Sequence, residues 1–272
     1  MLKKRLIFIL LYCDGYFMLS RNFRLQRVGD LNWLISNYDF SHISFFIDEL
    51  IILDVSRKEK QTKFFIDTLK TISYKCFVPI ASGGGVHSIS DAKILLRSGA
   101  DKVIINSSLF EKNDFLVNLS EEFGDQSIMA SVDVKKSSEH GYQAVKKSGS
   151  EIVNKSLTEI LNNLMQSPIG ELYLNSIDND GTGDGYDFNL INLLPKNCHK
   201  PLIIAGGADN SKRLLEGFKN SSIDAVATAH LFNFIGDGLK SARNKLIESG
   251  VPLPIWDLDT VYDYKDILNA ND

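Results

Sequence analysis

The sequence predicts an α/β protein, a closed (β/α)8 barrel built from two homologous half-barrels, and three observations carry that expectation. The first is Pro79–Asn106, PIASGGGVHSISDAKILLRSGADKVIIN, which reads as an apolar strand, three glycines, a helix with apolar Ile89, Ala92, Leu95 and Leu96, and a second apolar strand. The second is its echo in Pro201–Thr228, PLIIAGGADNSKRLLEGFKNSSIDAVAT, where Gly206 stands 122 positions after Gly84. The same offset relates Glu49 to Glu171 and sets Leu11 opposite Asp133; one added residue sets Asp101 opposite Asp224. The third is the alternation of strand and helix elsewhere, four strands to each half. A single barrel domain over residues 1–272 follows, with halves at about 1–123 and 124–250 and a tail at 251–272.

Taken in order, the first strand covers Arg5 to Tyr12. The basic and apolar start, MLKKRLIFILLYCDG, imitates a signal peptide, but its apolar run is short and no small-residue cleavage motif follows. Because it also matches the repeat, it reads as a strand of a cytoplasmic protein. Cys13-Asp14-Gly15 then opens a long loop to Asp30, carrying Arg21, Arg24 and Arg27. Asp30 is placed to cap a helix from Leu31 to Asn37. The second strand is Glu49–Asp54, followed by a helix from Gln61 to Tyr74. Strands three and four belong to the first βαβ unit, and a helix from Asp114 to Phe123 leads to strand five, Ser127–Asp133. Polar Lys135–Glu151 suits a mobile hairpin. Strand six, Glu171–Ser176, runs into the turn-rich IDNDGTGDGYD; strands seven and eight are the echo, and a last helix spans Gly236 to Ser249.

A formal charge of −4 shows no basic bias, which argues against nucleic acid as the main partner. Cys13, Cys76 and Cys198 are scattered without a C-x-x-C pair, so neither zinc nor a disulfide framework is expected. No motif calls for a cofactor or metal, and no segment calls for a membrane.

Function in such barrels gathers at the C-terminal ends of the strands. Glycines that follow a strand bring backbone N–H groups close to an anion, and the next helix start adds its positive end. Gly84 and Gly85 with Asn106 and Ser107, and Gly206 and Gly207 with Ala229 and His230, therefore form two candidate phosphate sites, one in each half. Together they suit a phosphorylated ligand with a phosphate at either end. Asp133 closes an apolar strand, where a carboxylate can serve as general acid or base. The same residue could equally act as a cap, and Asp180 as a turn former.

SGGGVHSISDAKILLRSGADKVIIN, SVDVKK, LNSIDNDGTGDGYD and IIAGGADN together resemble the cyclase (HisF) subunit of imidazole glycerol phosphate synthase over nearly the whole chain. The resemblance implies a barrel that receives ammonia from a glutaminase (HisH-like) subunit docked at its N-terminal face. It also implies a reaction on a phosphoribulosyl formimino carboxamide ribonucleotide, performed by two opposed aspartates. Asp133 matches the second of these. Gly85, Asn106, Asp180, Gly181, Gly207 and Ala229 match phosphate positions. Arg5, Glu49, Lys102 and Glu171 match a charged ring at the ammonia entrance, and Asp101 a contact to the glutaminase.

Other positions depart from the family. Its first aspartate falls on Leu11 in Leu11-Tyr12-Cys13-Asp14-Gly15, leaving Asp14 as the nearby carboxylate able to substitute. Leu19 stands at a lysine position, Asn175 at a threonine, and His230 at a small hydroxyl residue. A leading expectation follows: a HisF-like subunit of a glutamine amidotransferase complex that helps deliver ammonia to another acceptor. The branch of the family with leucine at the Leu11 position works in acetamidino modification of bacterial surface sugars, with a sugar amidotransferase as a further partner. The alternatives are a histidine-pathway cyclase using Asp14, and a non-catalytic ammonia-conducting scaffold or glutaminase activator.

Overall fold

A computed structural model describes residues 3–57, 62–111, 114–196 and 198–255. Eight parallel strands close a barrel in the order β1 (Arg5–Cys13), β4 (Glu49–Asp54), β5 (Ile80–Gly83), β6 (Lys102–Ile105), β7 (Ile128–Ser137), β10 (Glu171–Ser176), β11 (Leu202–Ala205) and β12 (Ala225–Thr228). Closure is made by β12 pairing with β1, Arg5 opposite Ala225. Helices α1 (Leu31–Asn37), α2 (Phe40–Ile43), α3 (Thr62–Lys75), α4 (Ile89–Arg97), α5 (Phe115–Phe123), α6 (Leu157–Gln166), α7 (Ser211–Phe218) and α8 (Gly238–Glu248) lie along the connections. The (β/α)8 barrel is therefore observed as expected. Among the described residues no helix is long and apolar enough to cross a membrane.

The period of two along each strand sorts side chains into two cores. On β1, Leu6, Phe8, Leu10 and Tyr12 face the helices and join the outer core, whereas Ile7 and Ile9 enter the barrel with Ile51, Ile104, Met129 and Tyr173. The inward series then fixes both ends of the barrel. Arg5, Glu49, Lys102 and Glu171 lie two residues before Ile7, Ile51, Ile104 and Tyr173, so they form the lowest inward layer. Leu11, Leu53, Asn106, Asp133 and Asn175 continue the same series upward and form the highest.

The two halves use matching contacts at matching positions. A Cβ on Gly84 would stand 2.1 Å from the Asp54 carbonyl oxygen, and one on Gly206 would stand 2.4 Å from that of Ser176. Asp54 and Ser176 are themselves 122 positions apart. Likewise, Asp101 accepts from the Ile80 N–H (2.8 Å) and Asp224 from the Leu202 N–H (2.9 Å), each tying a βαβ unit together at the base. Gly84 has φ +102° with carbonyl backbone against it, so we expect Gly84→Ala to destabilise the protein by roughly 1–3 kcal/mol. Urea unfolding checks this, and an unchanged midpoint would contradict it.

Three segments differ from the sequence reading. The loop expected after the first strand is a hairpin, β2 (Tyr16–Arg21) and β3 (Arg24–Gly29), with β2 antiparallel to β1. Its tip, Asn22-Phe23, has φ of 51° and 63°, the left-handed pair that a tight two-residue hairpin turn requires. Helix α6 was not foreseen, although Leu157, Ile160, Leu161 and Leu164 have helical spacing and Ser156 caps Glu159 N–H. Between β10 and β11 the connection is a 3-10 helix, Phe188–Leu193. The Lys135–Glu151 hairpin is present as β8 (Gly141–Lys146) and β9 (Glu151–Ile152) beside β7. Gln61 and most of the expected tail, from 256 on, lie outside the described residues.

Candidate functional site

A cavity of about 900 Å³ opens at the C-terminal ends of the strands. Every expected phosphate position lines it: Gly84, Gly85, Asn106 and Ser107 on one side, Gly206, Gly207, Ala229 and His230 on the other, with Asp180 and Gly181 after β10. Asp133 and Leu11 line it too. The four turn glycines all have positive φ, between 77° and 102°, so the backbone there approaches the cavity without an intervening side chain.

Asp133 is the chemical centre of the polar wall. One carboxylate oxygen accepts from Asn106 Nδ2 (2.8 Å) and the other from Asn175 Nδ2 (3.0 Å). Asn175 is its direct partner across the β7–β10 register, which explains the contact. Burial pushes the Asp133 carboxyl up to about 6, a rise that the two amide donors oppose and the nearby Asp180 charge reinforces. A carboxyl in that range can both take and give a proton near neutrality. Tyr173, buried beneath it on β10, has its phenol raised well above the ordinary range by burial.

The position opposite Asp133 is apolar, although Asp54 and Ser56 line the cavity nearby. Leu11 and Leu53 pack on the inner core, so the place that the repeat sets opposite Asp133 holds a group that cannot exchange a proton. Asp14 does not fill that gap. It is exposed in the turn after β1 at φ 50°, its backbone N–H bonds Ser56 Oγ (3.3 Å), and it is not among the residues lining the cavity. The structure thus separates Asp14 from Asp133.

Two expected phosphate positions have side chains already engaged. Asp180 accepts from Ser20 Oγ (2.5 Å) and from the Phe23 N–H (3.0 Å), clasping the β2–β3 hairpin over the mouth, and burial raises its pKa. Asn106 spends its amide donors on Asp133 and Ser131. An anion needs donors, so at these two positions it would have to be met by backbone N–H groups. Ser107 Oγ accepts from the Lys147 N–H (3.1 Å), and the His230 ring accepts from the Asn233 N–H (3.4 Å).

At the opposite end the four expected charges form a closed ring. Arg5 bridges Glu49 (2.7 Å) and Glu171 (2.8 Å), and Lys102 bridges the same two acids at 3.0 and 3.2 Å. Burial raises the Glu49 carboxyl even between two cations. Asp101 is exposed at this end, with one oxygen engaged by its own βαβ unit.

The sequence reading missed the hold of Asn106 and Asn175 on Asp133. It also missed Ser20 and the serines of the β8–β9 turn, which line the mouth. Strand register was the available signal for the former: Asn175 lies on β10, between β7 and β11, level with Asp133. For the latter there was none, because both hairpins reach the mouth from outside the barrel.

The described geometry agrees with similarities across the chain. The family model described as "Histidine biosynthesis protein" matches residues 37–236. A protein of Parasynechococcus marenigrum (strain WH8102), provisionally named imidazole glycerol phosphate synthase subunit hisF2, is 47% identical over 260 residues, covering 95% of this chain and 96% of its own. The imidazole glycerol phosphate synthase subunit HisF of Bacillus cereus (strain Q1) is 31% identical over 253 residues, 91% of this chain and 99% of its own. That of Chlorobium limicola (strain DSM 245 / NBRC 103803 / 6330) is 30% identical over 206 residues, 76% and 82%.

Proposed function

This chain belongs to the HisF family of histidine-biosynthesis proteins, and on that premise we propose that it is an ammonia-receiving subunit that does not carry out the ancestral cyclisation. A glutaminase docks at the N-terminal face, where Asp101 stands exposed. Ammonia enters past Arg5, Glu49, Lys102 and Glu171, whose ion pairs must part to admit it, and meets an acceptor in the upper cavity. The acceptor is a surface-sugar precursor undergoing acetamidino modification, with a sugar amidotransferase as a further partner.

The observation that carries this reading is the leucine opposite Asp133: the lining also holds Asp54, Glu111, Asp180 and Asp209, but none of them stands at the position the repeat sets against Asp133. Asp133 is half-buried, held by two amides and raised to about 6, while Leu11 occupies the position opposite in the repeat. Acid–base catalysis typically contributes ~10²–10⁴ to a rate, so a reaction needing two opposed acids is slowed by about that factor when one is leucine. The name hisF2 of the 47% identical relative, which marks a second HisF, supports a divergent copy. Asp14, exposed and outside the lining, offers no substitute.

The test is incubation with a glutaminase subunit, glutamine and the formimino carboxamide ribonucleotide. We expect glutamine hydrolysis to be stimulated and imidazole glycerol phosphate to stay at background. Production at a rate ordinary for the synthase would overturn the proposal, and Asp14→Asn would then show whether that residue supplies the second acid.

A further inference from the structure

Beside the main cavity lies a second one of about 220 Å³, and among the described residues its lining carries three cations, Arg24, Arg57 and Lys135, but no acid. Phe23, Arg57, Ser148 and Ser150 line both spaces, so they share a wall at the mouth. The three cations come from elements far apart in sequence. Arg24 opens β3 just after the left-handed Asn22-Phe23 turn, Arg57 follows β4, and Lys135 stands on β7 two residues beyond Asp133. Only the packing of the β2–β3 hairpin tip against the β8–β9 turn, where a Cβ on Gly149 would stand 3.1 Å from the Phe23 ring, forms the groove between them.

Isolated surface cations ordinarily point into water and need no partner. These three differ in that they line a concavity together. Arg57 is oriented there by a bond from Nη2 to the Phe23 carbonyl (2.5 Å). The acids on the neighbouring loop are turned to other donors: Asp178 accepts from the Lys136 N–H (2.6 Å), and Asp180 from Ser20 and Phe23. Arg24 and Lys135 make no ion pair among the described residues. Like charges gathered in a groove repel, and an anion with several acceptor oxygens relieves that repulsion through charge-assisted hydrogen bonds.

We propose that this groove is an anion subsite, taking a phosphate or carboxylate group of the ligand whose body lies in the main cavity. The ligand then carries a charged group beyond those met at the glycine turns. This holds whichever nitrogen chemistry the main cavity performs, because it concerns the ligand's charge and reach and not its reaction.

Calorimetric titration with inorganic pyrophosphate, and separately with malonate, tests the groove on the full chain. The comparison is between wild type, Arg24→Ala/Lys135→Ala, and a control, Lys240→Ala/Lys245→Ala on α8. Both groove residues are exposed, so the variant keeps the fold, as its circular dichroism will report. We expect the groove variant to bind at least about tenfold more weakly while the control matches wild type. The tighter of the two probes assigns the group as phosphate or carboxylate. Crystals soaked in that probe should show it against Arg24 and Lys135. Equal affinity in the groove variant, an equal loss in the control, or density confined to the glycine turns would each overturn the proposal. So would a groove empty of small anions whose mutation weakens only the binding of an acidic protein.

Discussion

Asp133→Asn is expected to make the protein more stable at pH 8 and to confer no such gain at pH 4. The sign follows from the raised carboxyl. In the folded state it titrates near 6, whereas an unfolded aspartate titrates near ~3.9, so the folded protein holds that proton more tightly. Its contribution to stability is fully present below about pH 4, is lost as pH rises through about 6, and stays lost above. A shift of about two units converts to somewhat under 3 kcal/mol at 1.36 per unit. Asp133 keeps some exposure to the cavity, so we set the expected gain at about 2 kcal/mol. Set against it is a pH-independent loss of about 1 kcal/mol, since an asparagine presents one acceptor oxygen to the two amides that now share two.

Chemical unfolding of both proteins at pH 4 and pH 8 reads the difference, and an offset that is the same at both pH values would show that Asp133 is not raised. Activity changes in the opposite direction. Any proton transfer at this position falls by ~10²–10⁴, while stimulation of a glutaminase persists if that depends on the base of the barrel. A half-buried carboxylate that costs stability is the pattern of a functional group.

How far this site could be read in advance depended on where each residue sat. The eight barrel strands were legible because each is a compact apolar run with glycine or aspartate at its ends. The 122-residue offset then checked one half against the other, down to Gly84 and Gly206 meeting Asp54 and Ser176. The charged ring was legible because its members match the family at the starts of inward-facing strands. The hairpin over the mouth was not, because Asn22-Phe23 lacks the glycine that usually marks such a turn; a phenylalanine at φ 63° is held there by Asp180. Nor was the fate of Asp14. Motif spacing placed a carboxylate three residues from Leu11, but the strand ends at Cys13 and the turn carries Asp14 out to solvent.

At the other end of the barrel, Glu49→Ala is expected to cost about 3 kcal/mol, whereas replacing all four ring residues together with apolar ones of similar size is expected to be close to neutral. Glu49 has a side chain only 2% exposed and is paired at 2.7 Å with Arg5 and at 3.0 Å with Lys102. Even so, burial wins over both cations and raises its pKa. Desolvation of this carboxylate, together with repulsion from Glu171, therefore outweighs the attraction it receives, and the intact ring is expected to add little net stability. Breaking the ring in part is a different matter. Without Glu49, Arg5 and Lys102, 22% and 17% exposed, would share Glu171 alone and remain mostly desolvated. That leaves positive charge uncompensated in the lowest layer of the barrel, directly beneath Ile7, Ile51 and Ile104. Urea unfolding of the single and quadruple variants separates the two terms. A single variant within about 0.5 kcal/mol of wild type would mean that solvent already screens the ring as it screens ordinary surface pairs. A ring that is costly to break yet contributes little when whole is poorly explained as a stability device. Its place at the face where the glutaminase is proposed to dock fits a gate that opens without a large loss in either state.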